Sequence, residues 1–151
     1  MRPWGAVASG DDGSAIVEFL GVTLVLLVPL VYLVLVLGRV EAATFAAEGA
    51  AREAARVYVR SDDTSQAVHG ALASVGIALA DQGFDDAPAD ALQISCTRHP
   101  CLTPGGDVEA RVEVVVGLPF VPGFVRDVVP LEIPVSATRA APVDDFRVAA
   151  G

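Results

Sequence analysis

The sequence predicts an α+β protein. A long N-terminal helix, apolar first and amphipathic after, leads into a second helix packed on a small antiparallel sheet of about three strands. Three observations carry this. An uncharged apolar run extends from Phe19 to Leu37. Small and apolar residues then recur at helical spacing as far as Leu79. From Leu92 onward the hydrophobic period falls to two.

The apolar run has the composition of a membrane span, and a spanning helix needs roughly 20 such residues at 1.5 Å rise. Pro29 lies inside it. Proline removes a backbone donor and crowds the preceding turn, so a kink is expected, which membrane helices tolerate. Glu18 stands at the mouth of the run, where a lone carboxylate is costly to bury. An ordinary secretory signal is the competing reading. It has a shorter apolar core and a small-x-small cleavage motif, and Val40-Glu41-Ala42 is passable as one. A plain single-pass anchor is the third.

From Arg39 to Arg60 the helix should continue into water. Val40, Thr44, Ala47, Ala51, Ala54 and Tyr58 form one narrow stripe of mostly small side chains, suited to close approach by another helix. Glu48 precedes Arg52 by one turn, a supportive pair. Ser61 to Ser65 breaks the pattern and offers helix caps. A second helix is expected over 64–80, with Val68, Leu72, Val75 and Leu79 on its core face. Gly70 and Gly76 each cost about 1 kcal/mol relative to alanine and permit close packing. His69 falls beside that face, exposed.

Asp81 to Asp90 reads as a solvated acidic turn, because the spacing of a calcium-binding EF-hand loop is missing. Leu92, Ile94 and Cys96 alternate with polar residues as a short strand. Thr103-Pro104-Gly105-Gly106 signals a turn. Val108, Ala110, Val112, Val114 and Val116 then share one face of a half-buried strand. The third strand sets Leu131, Ile133, Val135 and Ala137 against Glu132, Ser136 and Thr138. Pro134 makes it an edge strand or one broken there. The connection Leu118–Val125 is apolar for a loop. Phe120 and Phe124 either fold back on the sheet or form a patch for a partner or the membrane surface. After Thr138 the tail turns polar and is expected to fray.

The formal charge is −9 and all ten basic residues are arginine. An acidic chain of this kind argues against nucleic-acid binding, which wants a basic face. No nucleophile motif, phosphate loop or His–carboxylate pair stands out, so the chain does not read as an enzyme, and no cofactor is called for. Cys96 and Cys101 are close in sequence. Behind a membrane-targeting segment they read as an extracytoplasmic disulfide. A metal site using His99 lacks a fourth ligand, so no metal is assigned. Two free thiols are the remaining alternative.

The segment Gly13-Ser14-Ala15-Ile16-Val17-Glu18-Phe19, with the apolar run behind it, resembles type IV prepilins and pseudopilins. They carry a polar leader ending in glycine, a glutamate at the fifth mature position and a long apolar helix. Val17-Glu18-Phe19, Pro29, Gly38-Arg39 and Ala51-Arg52-Glu53-Ala54-Ala55-Arg56 make the closest likeness that of TadE-like minor pilins of tight-adherence pili. The likeness covers Gly13 to about Arg60. It implies a leader over 1–13, a transmembrane helix over 14–38, a helical stalk and second helix over 39–80, and a β head with a polar tail over 81–151.

The resemblance also implies a fold like that of pilins, and cleavage between Gly13 and Ser14 by a prepilin peptidase that reads Glu18 and Phe19. Glu18 becomes a subunit contact. Partners are the major and other minor pilins, the pilus assembly platform and membrane lipid. The protein sits in the cell membrane with its N-terminus cytoplasmic and its head extracytoplasmic, or on the pilus after processing. One departure is electrostatic. Asp11 and Asp12 stand where related leaders keep basic residues, and Arg39 after the span opposes that orientation.

Overall fold

The computed structural model describes residues 12–119, 121 and 132–147. Phe120, Phe124, Leu131, most of the leader and the last four residues lie outside the described residues. The chain divides into two compact units, Met1–Val36 and Leu37–Gly151. Helix α1, Asp12–Arg60, begins in the first and ends in the second, and it continues through Pro29. The remaining elements belong to the second unit. They are α2 (Thr64–Asp81), a short α3 (Pro88–Ala91), β1 (Leu92–Cys96), β2 (Asp107–Gly117) and β3 (Glu132–Pro142).

The second unit is the expected α+β head. Its three strands are antiparallel in the order β1-β2-β3. β2 shows why the sheet has one dry face. Val108, Ala110, Val112, Val114 and Val116 are all buried, while the residues between them are exposed or half-exposed. Those valines join alanines of α1 and the inner face of α2 in one core. The helices therefore form a second layer over one side of the sheet.

The helix–helix seam is smaller and wider than the sequence implies. In α1 the buried set is Ala43, Ala46, Ala47, Ala50, Ala51, Ala54, Ala55 and Tyr58, whereas Val40 and Thr44 are only partly buried. In α2 the buried face is Ala67, Ala71, Val75 and Leu79. Val68 is exposed and Leu72 half-buried, a correction to the expected core face. The reason is distance. A Cβ built on Gly70 would stand 2.7 Å from Val57 Cγ1. Where the helices approach that closely, methyl groups fill the gap and branched side chains are turned outward.

Asp63 caps α2 as expected, accepting from the Gln66 backbone N–H at 2.9 Å and the Ser65 hydroxyl at 2.7 Å. The Ser65 hydrogen bond is the larger cause holding the Asp63 carboxyl below its usual value, followed by the Gln66 N–H. A depressed folded-state pKa adds stability above the unfolded value and loses it as pH falls through the folded one. Asp63→Ala is therefore expected to lower the melting temperature at neutral pH. The gap to wild type should close as the pH drops below about 3.8. Asp63→Asn, still an acceptor, should retain most of the cap. Melting curves of the three proteins between pH 7 and pH 3 check this.

Two further expectations are corrected. Glu48 does not pair with Arg52. Its carboxylate meets Arg139 of β3 at 3.2 Å, a contact far apart in sequence. The tail does not fray at Thr138. β3 continues to Pro142, and Val143 is buried. Arg147 then donates to the backbone carbonyls of Val59 at 3.0 Å, Asp62 at 2.9 Å, and Ser61. These carbonyls belong to the last turn of α1 and the bend after it, which need donors once the helix ends.

Candidate processing and membrane-anchoring site

The residues expected to be processed lie at the start of α1. Its first residue is Asp12, so Gly13 and Ser14 fall in the first turn. The leader expected over 1–13 thus overlaps the helix by two residues. An acidic residue there is favoured by the partial positive charge of a helix N-terminus. Glu18 lies one turn beyond Ser14, about 6 Å along the axis at 1.5 Å per residue. It is exposed, and so is Phe19 beside it. Among the described residues nothing covers this end.

Every residue from Ala15 to Val31 is exposed, and so are Leu33, Val34, Leu35 and Leu37, with Tyr32 and Val36 half-buried. A core helix of a soluble protein buries such residues; here none of the most apolar stretch is buried. The helix is long and apolar enough to cross a membrane. That is the pattern of a membrane anchor or a signal sequence.

Arg39 follows the apolar run and is committed to the head. Its guanidinium lies 4.8 Å from the centre of the Phe84 ring, and it reaches the Gly83 carbonyl at 3.5 Å. Cation–π contacts of this kind contribute about 0.5–1 kcal/mol at an exposed site. The residue that opposes the expected orientation by charge thus has a structural use. Phe84 is itself buried. Sequence reasoning misses it because it sits in an acidic turn, though a lone aromatic among aspartates is a legible signal.

Cys96, the last residue of β1, is joined to Cys101 in a disulfide with a Cα separation of 5.3 Å. His99 is exposed in the loop they close. That loop is tied to β2 by Thr97 N–H to the Asp107 carbonyl at 3.0 Å, and to the turn before β2 by Arg98 to the Pro104 carbonyl at 2.8 Å. Among the described residues no group of three or more His, Cys, Asp or Glu is placed to hold a metal. The acidic residues of the 81–90 turn are spread over the end of α2, a loop and α3. Pro88 opens α3, where its fixed φ and missing N–H suit a first helical position.

The disulfide-closed loop lies at the opposite end of the second unit's sheet from Gly117. No protein-family model, no curated protein and no solved structure matches the chain.

Proposed function

We propose that the chain is a prepilin-type membrane protein, a minor pilin or pseudopilin like the TadE group. It acts in assembly of a tight-adherence pilus and, through it, in adhesion. The observation that carries this reading is the order of features along α1. Gly13 lies in its first turn, Glu18 and Phe19 stand exposed one turn on, an unburied apolar segment follows, and the same helix supplies the core of the head. A signal peptide cut after Ala42 would detach Arg39 and Val40, both of which pack against the head. That supports keeping the helix whole.

In this reading the first unit holds the precursor in the membrane, N-terminus inside. A prepilin peptidase cuts after Gly13, where the absent side chain leaves the backbone open. Because Gly13 is in a helical turn, cutting requires that turn to fray, which helix ends do readily. The head then faces the oxidising compartment in which its disulfide persists.

The test is the mature N-terminus. In cells holding the cognate peptidase, sequencing should return Ser14. Gly13→Leu should insert normally and accumulate uncut, because leucine obstructs the scissile bond and stiffens the turn. Normal processing of that variant removes the proposal. Met1 as the mature end would favour an anchored binding module, and Ala43 a secreted protein.

A further inference from the structure

Among the described residues β3 is an edge strand, and the direction of its outward hydrogen-bonding groups follows from its register. Val143, just past its end, donates to the Gly106 carbonyl at 2.8 Å and accepts from the Gly105 N–H at 3.3 Å. It therefore bonds toward the β2 side. In an antiparallel ladder, positions bonded to the neighbour alternate with positions that are not. Pro134, Ser136, Thr138, Ala140 and Pro142 thus turn their backbone groups away from β2. Both prolines fall in this outward set, opposite Val115 and Asp107, where β2 requires no donor from them.

Between the prolines, Ser136, Thr138 and Ala140 present N–H and C=O groups to the open edge. Among the described residues one side chain is laid over it. Arg139 Nη1 donates to the Thr138 carbonyl at 3.0 Å, while its Nη2 is held by the Glu48 carboxylate of α1 at 3.2 Å.

We infer that Arg139, braced by Glu48 and flanked by Pro134 and Pro142, is a guard that keeps the β3 edge from pairing with the β3 edge of a second copy. A second copy is the competitor because the edge is self-complementary. The prolines lie four residues to either side of Thr138. Antiparallel pairing centred there sets Thr138 against its equivalent and Ser136 against the other copy's Ala140, with proline facing proline at both ends. A shift of one ladder step loses a bonded pair and places proline opposite a residue that needs a donor. Ser136, Thr138 and Ala140 have short side chains that do not obstruct such pairing, so the guard carries the protection. The inference concerns the head alone and is independent of the proposed function.

The test uses the full chain in detergent micelles, where copies are free to turn over, with mass followed against concentration by light scattering. The variant Arg139→Ala/Pro134→Thr/Pro142→Thr is expected to self-associate at least about tenfold more strongly than wild type. Adding Ser136→Pro, which removes an outward N–H together with the exposed hydroxyl that accepts from Arg111 at 3.1 Å, should return it to wild-type behaviour. A folded open-edge variant with wild-type association overturns the inference. So does association that survives Ser136→Pro, since it then uses another surface. Should the triple variant not fold, Glu48→Gln carries the test: it releases the brace, and unchanged association in that protein overturns the inference as well.

Discussion

Ala50→Leu is expected to lower the unfolding free energy of the head by about 2–3 kcal/mol, whereas Gly49→Ala, one residue earlier, should raise it by up to about 1 kcal/mol. Ala50 is 0% exposed in the α1 seam, surrounded by a core whose spacing is set by methyl groups. Leucine adds three carbons at a position already fully buried in the core, so rotamers or backbones must shift. Gly49 is exposed, and a Cβ built on it meets nothing within 4 Å. Alanine there gains helix propensity without a steric cost. Gly70 lies between these cases. Alanine gains propensity there too, but its Cβ meets Val57 Cγ1 at 2.7 Å, so a net loss is expected. Thermal unfolding of the detergent-solubilised protein, followed by near-ultraviolet circular dichroism, reads all three. At about 4–8 °C per kcal/mol, Ala50→Leu should melt at least about 8 °C lower. An unchanged melting temperature in that variant would show that the seam is loosely packed.

The same seam shows what is legible in the sequence and what is not. The apolar segment, α2 and the alternation of β2 are local patterns, and each is readable from its period. The core face of α2 is not, because hydrophobicity ranks Val68 and Leu72 above Ala67 and Ala71. The close approach at Gly70 reverses that order, and interhelical distance is not written in one helix. Local spacing pairs Glu48 with Arg52, but Arg139 competes from β3 and reaches it. Arg147 looks like part of a polar tail until the carbonyls at the end of α1 are in place to receive it. The residues expected to be processed are the converse case. Gly13, Ser14, Glu18 and Phe19 stand out by their order in the sequence, and the structure adds their placement in the first two turns of α1.

Glu18→Ala is expected to insert in the membrane as well as wild type and yet to abolish surface pili. This expectation rests on the proposed function. Once the leader is removed, Ser14 carries an α-amine whose ordinary pKa is near ~8, cationic for the most part at neutral pH. Glu18 lies one turn further along an exposed helix, next to apolar residues that lipid or other helices would cover. An unpaired carboxylate in such surroundings costs several kcal/mol. Its own amine is a poor partner, because the first turn of a helix frays. In a staggered bundle of like helices a neighbour's amine reaches the same depth and neutralises it. Wrong registers then leave the charge bare, and the correct one satisfies it. Alanine removes both the cost and the discrimination, so insertion is unimpaired while subunit register is lost. Glu18→Gln, which keeps the shape without the charge, should behave as alanine does. Counting pili by electron microscopy and in sheared fractions, beside an immunoblot of the membrane pool, separates the two steps. Wild-type piliation in both variants would leave Glu18 as a residue that merely reaches the headgroups.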